Sequence, residues 1–478
     1  MNANKQQLIN VVDSKAKDIC AINDSLWDFP EVRFKLPKSA DLLCNYLKGE
    51  GFSIQRGMCG MDDAFIATYG NSGPVIGILG EYDALPTMSQ VSQSLEKKSC
   101  VEGGAGQGCG HQALGAGSAG AVAALKAYLE KSGAKATIKY FGCPGEESGS
   151  GKAYMARGGA FDGVDAFFTW HPMNETQAWG FSTLANYQVW FRFKGISAHA
   201  AATPHLGRSA LDACELMNVG VNYLREHIVP EARVHYAYTD VGGGAPNVVQ
   251  STASLLYFIR APKSAQVREI YNRVVDIAKG AALMSGTTME IEWDSACSEY
   301  IVTPALAELC HNNLVELGAL QFSAKDLAQA EEYRKALSET DKTMIRAKLA
   351  KAFKGEAPER IEAMANKPLW DDIFPLSITD WVLPGSTDVG DASWKAPTGQ
   401  FVVGMYPAGF QAHSWQWVAL GKSEMVHKGI LHAAKAMAMS ALDLIENPAL
   451  LEKAKAEWKA ALGGETYNCA IPAEVVPK

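Results

Sequence analysis

Residues 106–147 read GQGCGHQALGAGSAGAVAALKAYLEKSGAKATIKYFGCPGEE, and this segment is the most informative part of the chain about its fold class. It begins in a glycine-rich turn, and its alanine-rich segment 112–131 predicts a helix that packs closely because its side chains are small. Residues 137–142 predict a strand, which is followed at once by Glu146 and Glu147. A helix and a strand with polar residues just past the strand end are typical of one unit of an α/β sheet.

The segments on either side extend this pattern. Residues 65–70 and 74–80 predict two strands, and the second is apolar throughout, as a strand covered on both faces would be. Residues 166–170 predict another strand, with His171 just past its end. Because α/β sheets bind ligands at the carboxyl ends of their strands, we expect the functional site on that edge.

A second domain is predicted in the middle of the chain. Residues 187–298 contain the order βαββαβ, which is the ferredoxin-like pattern. We therefore expect an inserted domain over 187–298 and an α/β domain built from 1–186 and 299–478, since His413 must return to the same site. The charged, alanine- and lysine-rich stretch 323–366 predicts a solvated helical insertion on the surface.

Composition excludes several classes of protein. The chain has 478 residues, which predicts two or three domains, and it carries a net charge of -8, which argues against a nucleic-acid surface. No apolar run reaches the roughly 18 residues of a membrane span, and the polar start lacks the apolar core of a signal peptide. The ten cysteines show no framework spacing, so we expect reduced thiols in a cytoplasmic protein.

Cys109 and His111 are the first candidate metal ligands. They lie two residues apart in the glycine-rich turn, where the backbone is free to point both side chains to one side. A free thiol titrates near about 8.5, but a bound divalent ion deprotonates it, and the thiolate could then bridge two ions. A turn cysteine beside a hydrogen-bonded histidine is the alternative.

Three further segments supply donors of other types. Glu146 and Glu147 are adjacent, so on extended backbone their side chains diverge, and one can bind a metal while the other faces a water. They could instead be surface carboxylates that open a helix. His171 and His413 add imidazoles, although each taken alone also fits a structural role. Together these segments provide five possible ligands and a spare carboxylate, as a hydrolytic metal centre requires.

Asp83 follows the buried strand 74–80. A carboxylate in such a position often orients a ligand histidine from behind, so we predict that role for it. An Asp that caps the following turn is an equally good interpretation of the sequence alone.

The chain resembles the M20 metallopeptidase family, in its amidohydrolase branch. Seven motifs carry the resemblance: GCGH at 108–111, PGEESGSG at 144–151, WHP at 170–172, GISAHA at 195–200, PHLGRSALD at 204–212, GAPNVV at 244–249 and STDVGD at 386–391. The resemblance runs nearly from end to end, and it implies a zinc-peptidase-like catalytic domain with an inserted lid or dimerisation domain.

The resemblance also implies roles for particular residues. It implies two divalent ions per subunit, zinc or manganese, with Glu146 as the general base. His199 corresponds to a lid histidine that reaches the site of a partner subunit and holds the scissile carbonyl. Asn247 and Arg260 correspond to lid positions for the carboxylate of the substrate, and an Arg suits bidentate capture. The implied metal ligands are Cys109 as the bridge, His111, Glu147, His171 and His413.

The implied reaction is hydrolysis of the amide of an N-acyl amino acid, with p-aminobenzoyl-glutamate favoured. An acetyl-, benzoyl- or indoleacetyl-conjugate is an alternative substrate, and a non-catalytic partner subunit is an alternative function. The implied assembly is a homodimer or a heterodimer with a homologous A-type subunit. Two positions depart from the family pattern: Gln107 stands where close relatives have a His, and Gln112 stands where Asp or Asn is usual.

Overall fold

The computed structural model describes residues 1–478 and every side chain except that of Ser148. The helices are α1 (Ala3–Ser14), α2 (Ala16–Asp28), α3 (Pro37–Gly49), α4 (His111–Ser132), α5 (Glu146–Gly149), α6 (Gly151–Arg157), α7 (Ala210–Leu224), α8 (Ser264–Ser285), α9 (Pro304–Leu317), α10 (Ala324–Arg334), α11 (Glu339–Ala352), α12 (Pro358–Ala365), α13 (Val389–Ser393), α14 (Trp415–Leu420), α15 (Glu424–Glu446) and α16 (Pro448–Leu462). Two short 3-10 helices span Pro204–Leu206 and Arg225–His227.

The strands fall into one large sheet, one four-stranded sheet and one short pair. They are β1 (Ser53–Met58), β2 (Met61–Tyr69), β3 (Val75–Glu81), β4 (Thr137–Cys143), β5 (Ala166–Met173), β6 (Gln177–Ala178), β7 (Ser182–Thr183), β8 (Ala185–Lys194), β9 (Arg233–Asp240), β10 (Thr252–Ala261), β11 (Thr288–Cys297), β12 (Val382–Leu383) and β13 (Thr398–Gly404).

The large sheet has the order β1-β2-β4-β3-β5-β13-β6. Its centre is parallel, since β3 pairs in parallel with β4 and β5, and β13 pairs in parallel with β5. Successive side chains point to opposite faces, so Phe168 packs in the core that contains α4 while Phe167 packs in a second core on the other face. Burial on both faces explains why these strands are apolar without alternation.

Helix α4 lies close to the sheet because glycines face it. A side chain at Gly117 would meet the ring of Trp170 at 2.8 Å, and one at Gly115 would meet the carbonyl of Glu81 at 2.7 Å. The indole of Trp170 donates to the carbonyl of Leu114 at 3.2 Å, which joins the helix to β5. This close approach brings the first residue of α4, His111, to the carboxyl ends of β3 and β5.

The four-stranded sheet is antiparallel, with the order β11-β8-β10-β9, and helices α7 and α8 pack against it. We call it the lid sheet. The chain order of its elements is βαββαβ, so the predicted fold class is confirmed. Strand β9 lies at an edge and leaves most of its side chains exposed.

Glu146 and Glu147 open the short helix α5 rather than lying on extended backbone, as the alternative interpretation of the sequence had it. Two further details differ from the sequence predictions. His171 lies inside β5 rather than past its end, because pairing with β13 continues to Met173. The stretch 323–366 is helical, but it is not only a solvated surface. Ile345 and Leu349 of α11 are buried against Trp370, since the few apolar residues of this helix share one face. Among the described residues, no helix combines the length and apolarity needed to cross a membrane.

Candidate metal centre

The predicted ligands meet at the carboxyl edge of the large sheet. Cys109 and His111 lie at the start of α4, Glu147 lies in α5 directly after β4, His171 lies near the end of β5, and His413 lies in the loop before α14. Neighbouring parallel strands end on the same edge, so residues that are far apart in sequence converge there.

Two of the histidines are held by hydrogen bonds on the ring nitrogen that faces away from the centre. His111 Nδ1 donates to Asp83 Oδ1 at 3.1 Å, and His171 Nδ1 donates to the carbonyl of Pro172 at 2.8 Å. Each ring therefore presents Nε2 inward, and His171 Nε2 lies 3.3 Å from the sulfur of Cys109. Such outer hydrogen bonds fix the tautomer and the orientation of a metal-binding imidazole.

Asp83 and the loop that contains His413 position the other two candidate ligands, Glu147 and His413, next to the two histidines. The second oxygen of Asp83 accepts the backbone N–H of Glu147 at 2.9 Å, so one carboxylate positions two candidate ligands. Glu147 Oε1 lies 3.2 Å from His413 Nε2. The backbone N–H of His413 donates to the carbonyl of Gly108 at 2.8 Å, and its φ of 66° is in the left-handed region. Such a conformation is uncommon for a side-chain-bearing residue and is concentrated at functional sites.

Two donor groups share the sulfur of Cys109. The ligand atoms of Cys109, His111 and His171 lie within 4.8 Å of one another, and so do those of Cys109, Glu147 and His413. Glu81, His111 and Glu146 form a third such group without the thiolate, and the buried His111 Nε2 makes no hydrogen bond of normal geometry to a described residue, although Glu81 Oε2 lies 3.2 Å away. Thiolate, imidazole and carboxylate donors in this arrangement fit a divalent transition-metal ion.

The two adjacent glutamates have different electrostatic environments. Burial raises the pKa of Glu146 well above its usual range, and the carboxylates of Glu81 and Glu147 add to this effect. Burial also opposes ionisation of Glu147, but the hydrogen bond with His413 holds the pKa of Glu147 below its usual value. Neighbouring carboxylates whose pKa values are pushed apart are typical of an acid–base pair with divided roles.

A buried ion triad behind the centre was not predicted from the sequence. Lys152 Nζ lies 2.5 Å from Glu81 Oε1 and 2.5 Å from Asp388 Oδ1, and all three side chains are almost fully buried. Glu81 Oε2 is in turn 3.2 Å from His111 Nε2. Although Lys152 lies close behind the glutamate pair in sequence, nothing in the sequence shows that its partners would be residues 81 and 388.

Cavities connect the centre to the lid sheet. A cavity of about 190 Å³ is lined by Cys109, His171 and both glutamates, and a neighbouring cavity of about 390 Å³ is lined by the same glutamates together with Arg260. Arg260 lies 3.9 Å over the ring of Phe258, and its Nη1 is 3.5 Å from Ser386 Oγ. Its buried Nε has no partner among the described residues. The structure therefore brings Arg260 to the predicted centre.

His199 and Asn247 lie elsewhere. Both are exposed, and neither is among the described residues that line the two cavities containing Glu146 and Glu147. The Nδ1 atom of His199 accepts the N–H groups of Ala201 and Ala202 at 3.2 and 3.1 Å. The imidazole is thus fixed with Nε2 available, but outside the centre of its own chain.

The two departures from the family pattern are buried beside the centre. Gln107 donates to the carbonyl of Tyr82 at 3.4 Å, and Gln112 donates to that of Gly421 at 3.4 Å.

An α/β sheet with this donor set and a carboxylate beside it defines a metal-dependent hydrolase. The chain belongs to Peptidase family M20/M25/M40, whose sequence pattern matches residues 77–363. It is a hydrolase that acts on amides.

Relatives extend the comparison over the whole chain. The sequence is 43% identical over 458 residues to the B-type subunit of p-aminobenzoyl-glutamate hydrolase from Escherichia coli (strain K12), and the match covers 95% of each chain. It is 29% identical to an Xaa-Arg dipeptidase of Mus musculus, covering 96% of this chain and 93% of that protein. A dinuclear metal binding peptidase of the M20 family from Bacillus subtilis shares the fold, with a TM-score of 0.56 and 16% identity over 91% of this chain and 99% of that one.

Proposed function

We propose that this chain hydrolyses the amide of an N-acyl amino acid, with p-aminobenzoyl-glutamate as its foremost substrate. The observation that carries the proposal is the Glu146 carboxylate, which lies beside the two donor groups that share Cys109 and belongs to neither of them. A spare carboxylate next to such a set is what proton transfer in amide hydrolysis needs. The 43% identity to one of the two types of subunit of the Escherichia coli hydrolase supports the choice of substrate.

We assign two divalent ions, zinc or manganese, to the two donor groups. The ligands are Cys109, His111, Glu147, His171 and His413, and Asp83 orients His111 from behind. Cys109 belongs to both groups, which supports a bridging thiolate. The thiolate and imidazole donors suit zinc, and manganese is the alternative that supply and geometry would select. When bound, the ions supply Lewis acidity that polarises the scissile carbonyl and acidifies a water.

The chain's own residues then move protons and hold the substrate. Glu146 accepts a proton from the attacking water and delivers it to the leaving nitrogen. Arg260 holds the carboxylate of the substrate, and Asn247, which lies away from the centre of its own chain, would reach that carboxylate from a partner subunit. The unpartnered Nε of Arg260 supports this role, because a guanidinium binds a carboxylate with two parallel hydrogen bonds.

His199 would act from a partner subunit. Its exposure away from the centre of its own chain supports a role in trans, where it would hydrogen-bond to the oxygen that gains charge in the transition state. We propose that 187–298 is an inserted lid and dimerisation domain on a catalytic domain of 1–186 and 299–478. The exposed edge strand β9 offers unpaired backbone groups to a homologous subunit, in a homodimer or in a heterodimer with an A-type subunit.

We also propose a cytoplasmic location. All ten cysteines are free thiols, which is typical of a reducing compartment. The cavities beside the centre have the size of small-molecule sites, so the partner of the catalytic centre is a small substrate rather than a nucleic acid.

The test is an assay of the purified chain alone. With Mn²⁺ or Zn²⁺ added, we expect release of p-aminobenzoate from p-aminobenzoyl-glutamate, measured by chromatography, and metal analysis of protein purified without chelator identifies the ion. If the chain hydrolyses an acetyl-, benzoyl- or indoleacetyl-conjugate faster than p-aminobenzoyl-glutamate, that conjugate replaces p-aminobenzoyl-glutamate as the assigned substrate. Activity that appears only with an A-type subunit would favour a non-catalytic partner.

A further inference from the structure

A cavity of about 390 Å³ lies between α11 and the loop that carries His413. It is separate from the cavity that contains Arg260, and its volume is within the range of about 300–1,000 Å³ that is usual for small-molecule sites. Most of its wall is apolar. The side chains that form this wall are Met173, Met344, Ile345, Trp370, Phe410 and Ala412.

The cavity adjoins the metal centre. Met173, Ala412 and His413 line both this cavity and the smaller one that contains Cys109 and His171. The space beside α11 therefore lies next to the centre, on the side of His413. The metal centre thus has two neighbouring cavities, one that contains the guanidinium of Arg260 with its unpartnered Nε and one with mainly apolar walls.

The walls are held in place before any ligand binds. Asn174 Nδ2 donates to the carbonyls of Pro407 and Phe410, both at 2.8 Å, which fixes the loop before His413. On the opposite side, the Trp370 indole donates to the carbonyl of Met364 at 2.9 Å. A preformed cavity of this kind binds a rigid group without first ordering its own side chains.

The charges at the rim disfavour a carboxylate in this cavity. Lys348 is paired with Glu175 at 2.7 Å, so its charge is already neutralised. The other charged side chain of the lining is Asp341, whose pKa is lowered by hydrogen bonds from Ser338. An anionic ligand would meet Asp341 without a free lysine, whereas an uncharged ligand meets mainly apolar surface.

We propose that this cavity binds the acyl half of the substrate as a flat, uncharged aromatic group, and that Met344 determines specificity for it. The inference rests on the proposed function, since it takes the amide to lie at the metal centre. The carboxylate half then belongs with Arg260, and the uncharged half belongs beside α11. The rings of Trp370 and Phe410 with two methionine sulfurs suit an aromatic group, and a small acyl group such as acetyl would leave most of the space unfilled.

Met344 allows a test that does not disturb the core, because it is 53% exposed. In Met344→Trp the larger side chain occupies the cavity. We expect kcat/KM for p-aminobenzoyl-glutamate to fall at least about tenfold, while kcat/KM for N-acetylglutamate stays within about twofold. Ala347→Trp is the matched control, since Ala347 is exposed on the same helix and does not line the cavity. Equal losses on both substrates, no loss in Met344→Trp, or the same selective loss in Ala347→Trp would overturn the proposal.

A binding measurement separates this inference from the proposed function. Calorimetric titration with p-aminobenzamide, which is uncharged, is made on the metal-loaded wild type and on both variants, whether or not either amide is hydrolysed. If the affinity for this ligand falls about tenfold in Met344→Trp alone, the assignment of the cavity as the acyl site is supported. This holds even if the wild type hydrolyses neither compound, in which case only the proposed function fails. No saturable binding to the wild type, or equal binding to all three proteins, overturns the cavity assignment.

Discussion

At the metal centre the candidate ligands are held by hydrogen bonds within the same chain, whereas the predicted catalytic histidine His199 lies exposed in the loop that follows β8 of the lid sheet. Asp83 alone positions both His111 and Glu147, and the loop of His413 is bonded to the turn of Cys109. The side chain of His199 accepts hydrogen bonds only from the backbone of its own loop. If the proposed function holds, one chain brings the candidate metal ligands together but leaves His199 for the site of a partner subunit.

The charged pairs of the two regions also differ in their exposure to solvent. Lys152 is fully buried between Glu81 and Asp388, while Lys194 and Glu290 pair on the exposed surface of the lid sheet. A buried charge is costly when its partner is removed, whereas an exposed pair contributes little. Removal of one partner is therefore expected to destabilise the protein more in the buried triad than in the exposed pair of Lys194 and Glu290.

The largest effect is expected at Glu146. Glu146→Gln keeps the size and most of the packing but cannot transfer a proton, so we expect kcat to fall by about 10³-fold. Metal content by mass spectrometry should stay at the wild-type level, because the five donors remain. Near-normal turnover with metal bound would show that another group is the base.

The next effect tests the buried triad. Lys152→Met leaves two carboxylates buried without their cation, and we expect the free energy of unfolding in urea to fall by about 3–5 kcal/mol. Lys194→Met on the lid sheet is the control, with an expected change of about 0–1 kcal/mol. Similar small losses in both variants would remove the distinction between the two regions.

His199 tests whether the lid acts on another subunit. His199→Ala should lower kcat by about 10²-fold through loss of one hydrogen-bond donor to the transition state. Mixed with Glu146→Gln and allowed to exchange subunits, a twofold-symmetric dimer should recover about a quarter of wild-type activity, since half of the dimers carry one intact site. If the mixture is no more active than its components, His199 does not act in trans.

The smallest effect is expected from Asp83, the carboxylate that hydrogen-bonds to His111, and it concerns metal affinity. Asp83→Asn removes the charge that orients His111 but leaves every donor in place, so metal affinity should weaken by about 10- to 100-fold. Competition with a chelator measures this change. An unchanged affinity would favour the alternative in which Asp83 only caps the turn after β3.

Much of the fold could be predicted because it depends on local patterns. Apolar strands with polar ends predicted the parallel sheet, and alternating elements over 187–298 predicted the βαββαβ order. The position of His171 was predicted less well, since the end of a strand depends on its neighbour: pairing with β13 carries β5 on to Met173. The packed face of α11 was missed because only three-dimensional contact distinguishes a sparse apolar face from a solvated one.

The residue types in the sequence limit the chemistry available to this protein to one turn thiol, three imidazoles and two adjacent carboxylates. The folded chain sets how these groups are combined. It placed Cys109 in both donor groups, gave Glu146 and Glu147 opposite pKa shifts, and paired Lys152 with residues far away in the chain. The physical reason is that metal binding, burial and charge pairing act over a few ångströms, and only the folded sheet brings these residues within that range.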